Sequence, residues 1–295
     1  MKDVKHAYLI LAHQEFDVLK CLLEAIDDAR NDIFIHFDKK VELLPQLNVS
    51  KANIIILDKR ESIYWGDVSM LYAEYALLLT ANNHGNYAYY HLLSGVDMPL
   101  KDQDTIHEFF NLHNGALFIG YSQANRDIEI KNRTSTYHIL TKYFRNDSSF
   151  MYAFSKLLRF VVNHTQRMVG LKRNAVEEIK LGPQWFSVPA DFVAYLIENK
   201  VRYLNMFRNT FCSDELFVQT AAWNSSFKDR LYNKFDEFDG CVRDIQWKNG
   251  QLLNWEMKNL PELLNSKAMF ARKFSAADMN VVYAILKISK SRKYI

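Results

Sequence analysis

Tyr89–Leu100, YYHLLSGVDMPL, is the stretch from which the fold class follows. Tyr89 to Leu93 is a short, mostly apolar run of strand-forming residues, bounded by Ser94-Gly95 and closed by Asp97-Met98-Pro99. Near-continuous apolar character predicts a strand covered on both faces, as at the centre of a parallel sheet. Gly95 lets the backbone turn sharply, and Pro99 keeps the chain from continuing the ladder. Such a turn leaves Asp97 just beyond the strand's carboxyl end, where open α/β sheets bind ligands. The same carboxylate could equally serve as a turn residue that caps local backbone.

Outward from this stretch, strands and helices alternate through residue 120. Ala7–Ala12, Ile33–Phe37 and Asn53–Leu57 are strand candidates, and Ala116–Ile119 is another. Glu15–Arg30, Trp65–Ala81 and Asp104–Leu112 carry helical spacing of apolar residues. The alternation predicts an α/β, doubly wound, mostly parallel sheet with helices on both faces. After Tyr121 the pattern changes. Ser122–Tyr137 is polar and reads as a loop over the sheet, and Phe150–Leu171 as a long amphipathic helix. Leu181–Pro189 reads as a strand returning to the sheet, Asp214–Trp223 as a helix, and Cys241–Gln246 as a further strand. No Pro/Gly-rich hinge divides the chain. We therefore expect one domain over 1–295, built from two halves (1–121 and 181–295) with a loop and helical insertion between them (122–180).

Composition narrows the function. The chain has 295 residues, 49% of them hydrophobic, and a net charge of +3 with nearly balanced signs, which gives no case for nucleic-acid binding. Cys21, Cys212 and Cys241 are odd in number and far apart, so neither a disulfide framework nor a zinc site is expected. That usage fits a reducing compartment. The apolar run near the N-terminus is too short for a signal peptide core, and no window is long and apolar enough for a transmembrane helix. A cytoplasmic location is the expectation.

His13, Asp38, Asp97 and the turn at Trp185 would meet along one edge if the strands run parallel. A row of strand ends holding His and Asp suits a nucleotide pocket, because carboxylates bind ribose hydroxyls or base N–H groups. There is no G-x-G-x-x-G and no P-loop to cradle phosphates. The one Asp-x-Asp, Asp102-Gln103-Asp104, is explained better as a helix cap with a first-turn acid than as a metal site. Phosphates would then need cationic side chains, and the C-terminal third offers Arg243 and Lys273. Ser213-Asp214-Glu215 opens a helix after Phe211-Cys212, where acids are favoured by the helix dipole. One of the two could instead point into the cleft as a general base, and spacing alone does not choose between Asp214 and Glu215.

The segments AYLILAH (7–13), IFIHFDKK (33–40), IYWGDVS (63–69), HLLSGVDMPLK (91–101), GPQWFSV (182–188), CVRDIQW (241–247) and FARKF (270–274) carry a resemblance. Together they resemble the glycosyltransferase family of peptide O-xylosyltransferases and branching β-1,6-N-acetylglucosaminyltransferases, the core-branching and I-branching enzymes, in family order over nearly the whole chain. The resemblance implies a GT-A-like, inverting enzyme that needs no metal and no cofactor beyond a UDP-sugar donor. It implies Glu215 as catalytic base, Arg243 and Lys273 on the diphosphate, and His13, Asp38 and Asp97 in the donor pocket. Trp185, Asp214 and Trp247 are the expected substrate contacts. The sugar would be xylose or N-acetylglucosamine, and the acceptor a glycan, a lipid-linked glycan or a peptide. Xylosyltransferases carry an acid in the motif matching GPQWFSV, where this chain has Gln184.

Two rivals stand beside this reading. A glycosidase needs two carboxylates flanking one bond, and Asp97 with Glu215 is the pair to consider. A catalytically silent glycan-binding protein would use the 16 Tyr and five Trp as stacking surfaces. The tail Ala284–Ile295, AILKISKSRKYI, is a short basic amphipathic end, from which weak contact with an anionic inner leaflet is expected. The alternative is a last helical turn whose cations meet the helix C-terminus.

Overall fold

The computed structural model describes residues 4–123, 126–144, 149–171, 173, 177–248 and 250–290. In chain order the first half comprises β1 (His6–Ala12), α1 (Phe16–Ala25), β2 (Asn31–Phe37), β3 (Asn53–Ile56), α2 (Ser69–His84), β4 (Tyr89–Ser94), β5 (Asp97–Pro99), α3 (Gln103–Leu112) and β6 (Phe118–Ile119). The remainder comprises α4 (Asp127–Thr134), α5 (Ser149–Met168), β7 (Phe186–Pro189), α6 (Ala190–Glu198), α7 (Lys200–Phe207), α8 (Phe217–Trp223), α9 (Glu237–Cys241), β8 (Arg243–Ile245), β9 (Trp247–Lys248), β10 (Gln251–Leu252), α10 (Leu260–Asn265), β11 (Phe270–Arg272) and α11 (Met279–Lys290).

The main sheet runs β3-β2-β1-β4-β7-β6. Its first four strands are parallel, and β7 and β6 complete it as antiparallel neighbours. This is the mixed, mostly parallel α/β architecture of GT-A-like enzymes. Period-2 side-chain alternation divides β1 between two cores: Ala7, Leu9 and Leu11 enter one, Tyr8, Ile10 and Ala12 the other. Tyr90 and Leu92 of β4 join the first core, Tyr89 and Leu93 the second. Burial on both faces is why these strands read as continuous apolar runs. Helices α2, α6, α7 and α8 contribute to the first core; α1, α3 and α11 contribute to the second.

A smaller sheet, β5-β11-β8, lies beyond the carboxyl end of β4, with β11 antiparallel to β5 and parallel to β8. The expected strand at Cys241–Gln246 therefore belongs to this second sheet. The polar stretch expected as a loop contains α4, which buries none of its residues; Arg126–Glu129 and Arg133–Glu129 ion pairs at helical spacing lie along it. With no apolar face, it left no periodic signal. The helix expected from Asp214 is in fact a single 3₁₀ turn, Ser213–Glu215, followed by α8 from Phe217.

Candidate active site

Three strands end in register. Ala12 is paired with Phe37 and Leu11 with Ser94. The Asp38 N–H donates to the Ala12 carbonyl and the Gly95 N–H to that of Leu11, both at 2.9 Å. His13, Asp38 and the β4–β5 turn consequently stand side by side at one sheet edge. Asp38 is buried and accepts from the Lys40 backbone at 2.9 Å, with Lys40 Nζ at 3.4 Å. His13 is held below the ordinary histidine range by partial desolvation, a lowering that Asp38 opposes and Lys40 and Lys273 reinforce. The Phe274 N–H donates to the Val96 carbonyl at 2.9 Å, which sets Lys273, the residue after β11, beside the β4–β5 turn.

Asp97 faces inward. It accepts from the Ser94 N–H at 3.0 Å and the Ser94 hydroxyl at 2.5 Å, and Arg272 Nε donates to it at 3.1 Å. Its side chain is 1% exposed, so it shapes the turn and orients Arg272 without presenting a carboxylate to the cleft. The glycosidase pair Asp97–Glu215 fails for this reason: one member is sealed in local bonds. Arg272 in turn lies over the Trp185 ring, 4.1 Å from its centroid. Trp185 itself is largely buried.

Arg243 requires a correction. As expected it lies in a strand next to β11, but its guanidinium turns into the core and is 1% exposed. It donates to the carbonyls of Cys241 (2.8 Å) and Phe186 (3.1 Å) and to the Ser187 hydroxyl (3.1 Å), and lies over Phe270. Burial lowers its pKa to about 10. Ser187 also bonds His91 Nδ1, whose Nε2 meets His6 Nδ1 at 3.0 Å. Arg243 thus closes a polar network inside the second core and does not reach a diphosphate at the strand-end edge. Arg272, the third residue of FARKF and adjacent to Lys273, is the cation that sequence reasoning passed over.

A second group of side chains gathers around the turn Ser213–Glu215. Three features set this turn. Cys212 adopts a left-handed conformation (φ 49°) just before it, and its N–H donates to the Gly66 carbonyl at 3.0 Å. Gly66 itself has φ +76°, and a Cβ there would lie 2.5 Å from the Phe211 ring. Downstream, the Gly182 N–H donates to the Glu215 carbonyl at 3.0 Å. Gly182 must be glycine for contact, since a Cβ would sit 2.0 Å from the Gly120 carbonyl oxygen.

Here Arg133 of α4 donates to Glu215 Oε2 at 2.6 Å, while the Glu215 side chain remains 38% exposed. Asp214, beside it, has its pKa raised to about 7, chiefly by burial and then by the charge of Glu215. Glu74 of α2 is buried, and Gln184 Nε2 donates to its Oε1 at 2.6 Å. Burial, with Asp214 adding, holds the Glu74 carboxyl well above the usual carboxylate range. Glu215 thus stands in an ion pair with Arg133 at the surface of a cluster in which the buried Glu74 and the half-buried Asp214 are pushed toward their protonated forms. Glu74 and Arg133 were not singled out from the sequence. Glu74 did leave a signal, as the one acid in α2, set within its apolar run Met70–Leu79.

The other expectations fall outside this constellation. Asp102 is the N-cap of α3, accepting from the Thr105 N–H and hydroxyl at 2.9 Å, and Asp104 pairs with Arg30. Among the described residues, no group of three or more His, Cys, Asp or Glu is arranged to hold a metal. Trp247 is 54% exposed on the β9–β10 hairpin; the chain after this hairpin returns to Lys273, whose carbonyl accepts from the Trp255 N–H at 2.9 Å. The described part of the basic tail is the end of α11, where Ile285 and Leu286 are packed in the core and Lys290 pairs with Glu24. Residues 291–295 of that tail lie outside the described residues.

Comparison with known proteins identifies the family. The family model described as Core-2/I-Branching enzyme matches residues 6–280. A beta-1,3-galactosyl-O-glycosyl-glycoprotein beta-1,6-N-acetylglucosaminyltransferase 4 from Danio rerio is 23% identical over 224 residues, which is 73% of this chain and 49% of the relative. The chain spans about half the length of that curated relative.

Proposed function

The chain belongs to the Core-2/I-Branching enzyme family, and from that premise we propose that it transfers a sugar, of the N-acetylglucosamine type, from a UDP-sugar to an acceptor hydroxyl with inversion. Glycosyl transfer is the activity the family supports. The observation that carries the finer reading is Glu215: a partly exposed carboxylate whose Oε2 is held by Arg133 and whose Oε1, among the described residues, is open to an acceptor. The acceptor oxygen attacks the anomeric carbon, the bond from that carbon to the phosphate oxygen breaks, and Glu215 takes the hydroxyl proton. Such proton transfer is worth typically ~10²–10⁴ in rate.

UDP leaves carrying negative charge. Lys273 and Arg272, adjacent in sequence beside the strand-end edge, supply the compensating cations in place of a divalent ion. His13 and Asp38 line the donor pocket, and Asp97 positions Arg272 against Trp185. Trp247 offers an open ring face to a sugar. Asp214 lies next to the base and sets the field around it.

The test is a screen of UDP-sugars for nucleotide release with and without glycan acceptors, each in the presence of EDTA. UDP-N-acetylglucosamine is expected to turn over unchanged by chelation, with UDP-xylose as the comparison donor. Loss on chelation, restored by Mn²⁺, overturns the metal-free mechanism. Sugar released from a simple glycoside without any nucleotide overturns transfer altogether.

A further inference from the structure

We propose that α5 is a membrane-docking helix that seats the protein on an anionic phospholipid surface beside the acceptor side of the active site. The starting observation is that α5 is inverted relative to an ordinary surface helix. At ~100° per residue, Phe150, Phe154, Leu157, Val161 and Met168 fall within a single narrow stripe, with Phe160 on its flank. All six are exposed, between 48% and 76%. A helix packed on a core would turn that stripe inward.

The residues that α5 buries, Ser155 and Gln166, are polar instead. The Ser155 hydroxyl donates to the Tyr143 carbonyl, and Gln166 exchanges two bonds with the backbone of Tyr137 at 2.8 and 3.0 Å. Arg159 lies 4.2 Å from the Phe144 ring centroid. The protein thus holds this helix by its polar side and offers the apolar side outward. Val169 and Leu171, just past its end, extend the exposed apolar surface. A contiguous apolar surface of this kind marks an interaction site on a folded protein.

Charge selects the occupant. Ser149–Leu171 contains no Asp or Glu, and its cations are Lys156, Arg159 and Arg167. Lys156 and Arg167 lie on the side of the helix next to Phe160, both exposed. Phe and Leu on one face with Lys and Arg beside them are the composition of helices that lie in the headgroup region of anionic bilayers. Among the described residues, no helix is long and apolar enough to cross a membrane, so the contact is one of surface docking. The geometry also gives the contact a purpose. Arg159 stacks on Phe144, Phe144 packs on Phe211 at 4.7 Å, and Phe211 leads directly into the turn that carries Glu215. A bilayer under α5 therefore lies on the side from which a lipid-linked acceptor would arrive. The docking surface itself does not depend on the glycosyltransferase reading.

The experiment is co-sedimentation of the full chain with vesicles of phosphatidylcholine alone or mixed with phosphatidylglycerol. The intact protein is expected to pellet with the anionic vesicles and to be released as salt rises. Phe154→Ser, Leu157→Ser and Val161→Ser combined should lower partitioning at least ~tenfold, because these side chains supply the buried apolar area. Should that variant misfold, Phe160→Trp provides a second reading: its fluorescence must shift to the blue on adding anionic vesicles. An unchanged emission spectrum overturns the proposal, as does equal pelleting of a folded triple variant. A monomer–dimer equilibrium in sedimentation velocity that the triple substitution abolishes, without vesicle binding, also overturns it and assigns the stripe to a second copy of the chain.

Discussion

The two sides of the candidate site are built by different means. The donor side is a sheet edge: His13 and Asp38 follow adjacent parallel strands, and Lys273 follows β11. The acid side is assembled from residues far apart in sequence, with Glu74 on α2, Arg133 on α4, Gln184 before β7, and Asp214 and Glu215 on a 3₁₀ turn. A strand end fixes position through backbone hydrogen bonds shared with its neighbours. The acid cluster is positioned by side-chain pairs and by glycine contacts, so single substitutions there should separate chemistry from binding. On the proposed function, donor affinity and catalytic rate belong to two separate groups of residues, a division that substitutions can test.

The sharpest way to break that division is to compare two cations from neighbouring strands. Arg243→Met leaves the Cys241 and Phe186 carbonyls and the Ser187 hydroxyl without their donor. A loss of roughly 2–4 kcal/mol in stability is expected for buried groups stranded in this way. Lys273→Met should leave thermal stability nearly unchanged and weaken UDP binding by about tenfold, ~1.4 kcal/mol. If calorimetry shows both variants folded and equally impaired in UDP binding, Arg243 does touch the donor and its assignment to the core is wrong.

A smaller effect is expected at Arg133. Arg133→Gln removes the charge that holds Glu215 and Glu129. Its transfer kcat should fall by about five- to tenfold, ~1 kcal/mol, for a carboxylate that is no longer oriented. The Kd for UDP should not move. A parallel loss of UDP affinity would merge the two sides into one.

Smallest is the pH signature of the acid cluster. Asp214 has its pKa raised to about 7 in the folded protein, against ~3.9 for an unfolded Asp. A group with a raised folded pKa contributes stability that is fully present below the unfolded value and is lost as pH rises through the folded one. Wild-type protein should therefore lose part of its thermal stability between pH ~4 and ~7, and Asp214→Asn should flatten that decline. Identical melting curves for the two proteins across this window would show that the folded protein does not raise the Asp214 carboxyl.

The same contrast explains which parts were legible in the sequence. Tyr89–Ser94 and Ala7–Ala12 announced a two-face-buried parallel sheet because burial on both sides erases polar alternation. His13 and Asp38 were readable because they follow such runs directly. Arg243 was misplaced because a strand tells which residues alternate, and not which of its faces meets the cleft. Helix α4 was unreadable because it has no fully buried residue and no apolar stripe, and with it went Arg133. Gln184 stood where related enzymes are expected to carry an acid. The structure shows a carboxyl, Glu74, within 2.6 Å of its amide, supplied by a helix about a hundred residues earlier. Long-range pairs of this kind have no local periodicity to reveal them.

The most direct measurement is Glu215→Gln, assayed for sugar transfer and, in parallel, for UDP binding by calorimetry. The amide keeps the size of the side chain and loses its ability to accept the proton. Transfer is expected to fall by ~10²–10⁴ while UDP affinity stays at the wild-type value. A variant that retains most of its kcat, with Asp214→Asn losing it instead, would contradict the assignment of Glu215 as the base.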